Sequence, residues 1–159
     1  MARRSGFGTQ LQAARRQEIT PEMEKVSAKE SVPAEVIMQR IAAGTVVIPA
    51  NPAHRNLDPV GIGSGLTVKV NVNLGRSPTS SCLSEEVEKV RSAIRYGADA
   101  VMDLSTGPGI DSVRLAVLEA STAPVGTVPV YQAAETVERF EDLSEDDLLG
   151  VLSKQAVQG

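Results

Sequence analysis

Cysteine, histidine and aromatic residues are nearly missing from this chain of 159 residues. The single cysteine, Cys82, excludes a disulfide framework or a cysteine-rich metal site built within the chain. The single histidine, His54, leaves no zinc-ligand spacing and would have to serve alone in any catalytic triad. With no tryptophan, two tyrosines and two phenylalanines, the base stacking that single-strand-binding proteins use is not expected.

Strong charge and long apolar runs are also missing. The formal net charge is -4, so the composition gives no reason to expect a nucleic-acid partner. No apolar stretch approaches the roughly 20 residues that span a bilayer. Arg3 and Arg4 are not followed by the apolar run of a signal peptide. We therefore expect a cytoplasmic protein with no membrane partner, built around a core of Val, Leu, Ile and Ala.

Residues 1–65 are predicted to form an N-terminal segment made of a polar arm, short helices and a loop. The predicted elements after the arm are, in chain order, a short helix around 11–16, a helix from Thr20 and Pro21 to about Glu30, a helix from Pro33 to Gly44, a strand at 46–51 and a loop over 51–65.

Residues 66–159 are more regular and are predicted to form three strand–helix units. The predicted strands are 66–73, 100–105 and 124–132, and the predicted helices begin near Ser84, Asp111 and Ser144. Units that follow one another at roughly 30 residues indicate an α/β fold with a parallel sheet. The same period places a fourth strand near residue 160. We therefore expect this chain to be the front part of a longer protein, with a small three-layer domain that is complete as given as the alternative.

Polar side chains collect where the predicted strands end. They are Asn73 at the end of the first strand, Asp103 with Ser105 at the end of the second, and Tyr131 at the end of the third. The loops that follow the carboxyl ends of parallel strands form the ligand face of α/β proteins. Asn73 is equally compatible with a turn, Tyr131 with a loop anchor, and Asp103 with bonds to backbone amides or to an arginine. Met102, also near a strand end, is by pattern more typical of a core residue.

Two lone residues with reactive side chains have ordinary interpretations that the sequence favours. His54 lies in a predicted loop, where a structural histidine is the simpler reading than a catalytic one. Cys82 precedes a predicted helix, whose N-terminus would lower the pKa of its thiol, although an inert small residue is the simpler reading there too.

Several segments together resemble the phosphomethylpyrimidine synthase family of thiamine biosynthesis. They are TQLQAARRQEITPEMEKVSAKE, VVIPANPAH, VKVNVNLGRS, EEVEKVRSAIRYGADAVMDLSTG and APVGTVPVYQA. The likeness runs from about Thr9 to the last residue, and GADAVMDLSTG and PVGTVPVYQA are its most specific parts.

The resemblance implies a (β/α)8 barrel, of which residues 66–159 would supply about three βα units behind a short helical and loop segment. It implies a radical S-adenosylmethionine lyase that converts 5-aminoimidazole ribotide to 4-amino-5-hydroxymethyl-2-methylpyrimidine phosphate. A 4Fe-4S cluster and S-adenosylmethionine would be its cofactors, with zinc as the candidate for a further metal in the full-length protein. A homodimer is implied for the full-length protein as well.

Three substrate contacts carry over from the family motifs. Asn73 matches the second Asn of an Asn-Ala-Asn motif, Met102 the Met of MDLSTG, and Tyr131 the Tyr of VP-x-Y. The resemblance implies that Asn73 and Tyr131 hydrogen-bond the ribotide and that Met102 packs against it. Val72 stands where the family has Ala, which adds volume beside this site.

The family's metal-binding histidines and its three-cysteine cluster motif have no counterpart in this sequence. Catalysis by these residues alone is therefore not expected. Two alternatives remain open: the sister enzyme 5-hydroxybenzimidazole synthase of anaerobic cobamide biosynthesis, which uses the same substrate and cofactor, and a non-catalytic truncated remnant.

Overall fold

The computed structural model describes residues 8–77, 79–80 and 82–159. Within these ranges the chain divides into two compact units. The first unit holds residues 8–50 with Pro59–Lys69, and the second holds Asn51–Asp58 with Val70–Gly159. Residues 1–7 of the predicted arm lie outside the described residues.

The first unit is a small helical cluster with one short hairpin-like pairing. Its elements are α1 (Gln10–Arg15), α2 (Pro21–Glu30), α3 (Ala34–Ala42), β1 (Val46–Val47) and β2 (Ile62–Gly63), with β1 and β2 antiparallel. The predicted start of α2 is confirmed, since Thr20 Oγ1 accepts a hydrogen bond from the Met23 N–H at 3.2 Å. Met23, Val26 and Ile37 are fully buried in the core of this unit.

The second unit is an α/β arrangement around a three-stranded parallel sheet. Its elements are β3 (Asn71–Leu74), α4 (Leu83–Arg95), β4 (Ala100–Asp103), α5 (Ile110–Ala120), β5 (Val125–Thr127), α6 (Pro129–Ala134), a 3-10 turn (Phe140–Asp142) and α7 (Glu145–Gln158). The strand order is β3-β4-β5, which confirms the predicted alternation of helices with parallel strands.

The two faces of this sheet differ in composition because side chains alternate along each strand. Leu74 and Val101 pack with residues of α4 and α5 in one apolar core. The alternate residues of the strands point to the other side, which we call the open face. All of them are exposed or partly exposed: Asn71, Asn73, Ala100, Met102 and Gly126.

The third predicted strand, 124–132, is wrong in its second half. β5 ends at Thr127, and α6 begins at Pro129. Proline has no N–H to give to a sheet, and its fixed φ suits the first position of a helix. Tyr131 therefore lies on a helix and not on a strand.

Three helix details also differ from the pattern. The N-caps of α4 and α5 are Cys82 and Gly109, so both helices begin slightly earlier than predicted. The Ser144 cap of α7 is confirmed, with its capping box to Asp147. However, the predicted inward residues of α7, Leu148, Leu149, Leu152 and Ala156, are not buried. Val151 and Gln155 are buried in their place, because polar bonds attach this helix to the rest of its unit.

Candidate functional site

Two of the predicted site residues are neighbours on the open face. The parallel register pairs Asn73 of β3 with Met102 of β4. Paired residues of adjacent strands lie about 5 Å apart and point to the same side of the sheet. Asn71, two residues earlier on β3, donates from Nδ2 to Asn73 Oδ1 at 3.0 Å. The Asn73 amide is thus held from one side, and its Nδ2 is the group left to donate outward.

Gly126 of β5 continues this row, since it is the register partner of Met102. A Cβ at position 126 would lie 2.9 Å from Met102 Sδ and 3.1 Å from its Cε. The thioether therefore occupies the space that a side chain at 126 would take. Glycine at this position lets Met102 lie across the neighbouring strand.

Tyr131 lies on α6, four residues beyond the carboxyl end of β5, and its side chain is 44% exposed. Its backbone N–H donates to the Val128 carbonyl at 3.0 Å in the first turn of the helix. The structure thus brings Asn73 and Met102 side by side. It places Tyr131 on a separate element, the helix α6, at the same end of the sheet.

Asp103 points to the side of the sheet opposite to Met102, and it is buried. Its Oδ1 accepts from the Ser105 N–H at 2.9 Å and from the Ser105 hydroxyl at 2.5 Å. The Ser105 oxygen in turn accepts from the Arg76 N–H at 3.0 Å. Of the two alternatives left open for Asp103, the structure favours bonding to a backbone amide. Asp103 ties the end of β4 to the loop after β3.

A polar network surrounds Asp111 at the start of α5. Its carboxylate accepts from Arg114 Nη1 at 3.1 Å, Gln132 Nε2 at 3.0 Å and Lys154 Nζ at 2.5 Å. Burial alone would raise the pKa of Asp111. The hydrogen bonds from Lys154, Gln132 and Gln158 and the charge of Lys154 outweigh burial and hold this pKa well below its usual range.

His54 and Cys82 have local structural partners. His54 is buried, with Nε2 2.8 Å from the Ser121 carbonyl oxygen, so a proton on Nε2 is donated there. Cys82 is exposed at the N-cap of α4, with Sγ 3.0 Å from Ser84 Oγ. The hydrogen bonds from Ser84 and from the Glu85 N–H lower the pKa of the Cys82 thiol.

A 4Fe-4S cluster does not fit the residues of this chain. Such clusters are held by several cysteine thiolates, and the chain has one cysteine. The described residues also contain no group of three or more His, Cys, Asp or Glu placed to hold a metal ion. No chemical step is therefore assigned to a cluster or a zinc ion bound by these residues.

The three-stranded parallel sheet with its helices makes this an α/β protein, a class in which ligands commonly bind at the carboxyl ends of the strands. Residues 9–159 match the model of the Radical SAM ThiC family, and the chain belongs to that family. The family resemblance read from the motifs is thereby confirmed. The Radical SAM ThiC family comprises radical S-adenosylmethionine enzymes of thiamine pyrimidine synthesis, which act on small molecules. In the described part of the chain, no helix is long and apolar enough to cross a membrane.

The sequence analysis assigned no role to two residues of the open face, Asn71 and Gly126. Asn71 was visible as the first residue of an Asn-x-Asn spacing, which places both amides on one face of a strand. Gly126 was visible as a glycine inside a strand, which often marks a close approach of another group. Neither signal identifies the partner, because the partner lies on another strand.

Proposed function

We propose that this chain is the front portion of a radical S-adenosylmethionine lyase that converts 5-aminoimidazole ribotide to 4-amino-5-hydroxymethyl-2-methylpyrimidine phosphate. The observation that carries the proposal is the pairing of Asn73 with Met102 on the open face, in a chain that belongs to this enzyme family. Both residues stand where the family motifs put substrate contacts.

The winding of the sheet supports a partial (β/α)8 barrel over residues 66–159. Doubly wound sheets reverse their strand order and carry helices on both faces. Here the order β3-β4-β5 follows the chain, and the core contacts of α4 and α5 fall on a single face. Sequential order with helices on one side is the winding of a barrel, in which substrates bind at the carboxyl ends of the strands. The open face would then be part of the barrel interior.

In this proposal Asn73 donates from Nδ2 to an oxygen or ring nitrogen of the ribotide, while Asn71 holds its other side. Tyr131 supplies a phenol that donates or accepts at the same end of the sheet. Met102 provides an apolar, polarisable surface for the aminoimidazole ring. These residues bind and orient the ribotide. The cluster, S-adenosylmethionine and zinc would be held by residues outside this chain, so these residues alone would bind without catalysing.

The proposal is tested by titrating 5-aminoimidazole ribotide into the purified chain by calorimetry. Asn73→Ala and Tyr131→Phe are each expected to cost about 1–3 kcal/mol, since each leaves a polar group of the ligand unpaired. That corresponds to a Kd raised about 5- to 150-fold.

Tyr96→Phe and Asn56→Ala are matched controls. Tyr96 is 86% exposed just after α4, at the opposite end of the sheet, and Asn56 donates to the Glu119 carbonyl at 2.8 Å. Neither change is expected to alter the Kd. Equal affinity in Asn73→Ala, Tyr131→Phe and the controls would contradict the assigned roles. Absence of any saturable binding would favour a non-catalytic remnant.

A further inference from the structure

A small polar cavity lies beneath the sheet, on the side away from the open face. Its volume is about 10 Å³. Its walls come from β4, β5 and the three helices that follow them, and the polar residues among them are Asp103, Ser105, Arg114, Thr127, Gln132 and Gln155.

Arg114 contributes a buried donor to this cavity. The residue is 2% exposed. Its Nη1 donates to Asp111 at 3.1 Å and to Gln158 Oε1 at 2.6 Å, and its Nη2 donates to Gln132 Oε1 at 2.6 Å. Its Nε has no hydrogen-bond partner among the residues that the structure describes. Buried donors of charged groups are nearly always satisfied, so a partner for this N–H is expected.

Asp103 contributes acceptor capacity to the same walls. It is 4% exposed, and within the described part of the chain its side-chain hydrogen bonds, from the Ser105 N–H and hydroxyl, fall on Oδ1. An ionised carboxylate can accept at both oxygens. The cavity therefore combines a guanidinium N–H that needs an acceptor with a carboxylate oxygen that can take a donor.

We propose that this cavity is a binding site for one neutral molecule that both accepts and donates hydrogen bonds, namely a water molecule held between Arg114 Nε and Asp103. A site needs about 10–15 Å³ to hold one water, and the cavity meets the lower end of that range. The opposite charges of Arg114 and Asp103 make the cavity unfavourable for a single ion of similar size. A cation would face the guanidinium of Arg114, and an anion would face the carboxylate of Asp103.

The site would add a polar link between three elements of this unit. Asp103 ends β4, Arg114 lies on α5, and Arg114 reaches α7 through Gln158. A water between Asp103 and Arg114 completes a polar path from the strand that carries Met102 to the last helix. This inference stands on the cavity and on Arg114, and it does not require that the chain bind a ribotide.

Two measurements on the unaltered chain test the site. A crystal structure at high resolution is expected to show one water peak within hydrogen-bond distance of Arg114 Nε. In ¹⁵N-resolved NMR, the Hε proton of Arg114 is expected to show a cross peak to water together with slow exchange. Arg114→Lys is expected to remove that signal, whereas the control Arg91→Lys, an exposed arginine on α4, leaves it in place.

Three results would overturn the proposal. One is a direct Asp103–Arg114 ion pair that fills the space. Another is a cavity without density and an Hε proton that shows no water cross peak. The third is an anomalous bromide peak in crystals grown with bromide, which would make the site an anion site. Because the first two measurements need no variant, a failure of Arg114→Lys to fold would not affect them.

Discussion

Glycine at position 126 sets the space available to Met102 on the open face. Because an added Cβ would approach Met102 Sδ to 2.9 Å, Gly126→Ala is expected to push the thioether out of its present position. Overpacking of this kind costs about 1–3 kcal/mol where the neighbour cannot move. Here the neighbour is the flexible end of a methionine, so the fold is expected to tolerate the change, while the ribotide Kd rises about tenfold.

Gly150→Ala is the matched control for this prediction. Position 150 lies on α7, and a Cβ there would meet nothing within 4 Å. The control is expected to leave the Kd unchanged and to stabilise the helix slightly, since alanine is the better helix former. If Gly126→Ala binds the ribotide as tightly as Gly150→Ala in calorimetry, Met102 does not contact the ligand in the proposed way.

At this scale the sequence identified the strand-end residues but not their neighbours. Asn73 was a candidate both by its place at a strand end and by the family motif, whereas Met102 was a candidate by the motif alone, since its pattern is more typical of a core residue. Their side-by-side placement depends on the β3–β4 register, which residues remote in the sequence determine. Arg114 was also unreadable as a site residue, because a basic residue within a helix is ordinarily on the solvated face.

Among the elements, α7 shows how polar bonds can replace an apolar stripe. Lys154 of this helix donates to Asp111 of α5 at 2.5 Å, and Gln155 Oε1 accepts from the Thr127 hydroxyl at 2.6 Å. These two bonds turn Gln155 inward and leave Leu149 and Leu152 52% and 42% exposed. Sequence periodicity predicts the leucine face, because it counts apolar residues and cannot see partners on other elements.

The Lys154–Asp111 pair predicts a pH dependence of stability. The pKa of Asp111 is depressed in the folded chain, so its contribution is fully present above the ordinary carboxyl pKa of about 4. It is lost as the pH falls through the depressed folded pKa. Lys154→Met is expected to lower the free energy of unfolding at pH 7 by less than about 1 kcal/mol, since the pair is partly exposed.

Urea unfolding of Lys154→Met and of the unaltered chain, measured from pH 7 down to acid, checks this prediction. The difference between the two is expected to hold down to about pH 4 and to shrink at lower pH, as the pH approaches the depressed pKa at which folded Asp111 becomes protonated. Lys25→Met on the exposed side of α2 serves as the control and is expected to show no such trend. A difference that stays constant or grows toward low pH would show that Lys154 acts through packing and not through Asp111.

For the molecule as a whole, the fold class could be predicted from the sequence, but the uncovered face of the sheet could not. Alternating strand and helix signals were enough to predict a parallel α/β sheet. The open face breaks the usual rule that parallel sheets are covered on both sides. A broad groove of about 920 Å³ also runs beside β3 and α4. Both features are consistent with the partial (β/α)8 barrel proposed above, in which the open face would lie on the inside.

Because the chain has one cysteine, we predict that it does not take up a 4Fe-4S cluster by itself. A 4Fe-4S cluster needs several thiolate ligands, and Cys82 is exposed and alone. Anaerobic treatment with iron and sulfide is therefore expected to give no stoichiometric cluster, judged by iron content and by the electron paramagnetic resonance of the reduced sample. With S-adenosylmethionine and a reductant, the same sample is expected to form no 5′-deoxyadenosine.

Ribotide titration of the same sample separates binding from catalysis, because the open face is expected to bind whether or not a cluster is present. Cys82→Ser is the control and is expected to leave the background iron content unchanged. If the unaltered chain instead took up a stoichiometric cluster that Cys82→Ser abolished, Cys82 would be a ligand shared between copies of the chain. The assignment of the cluster to residues outside this chain would then be wrong, even if Asn73 and Tyr131 still governed ribotide binding.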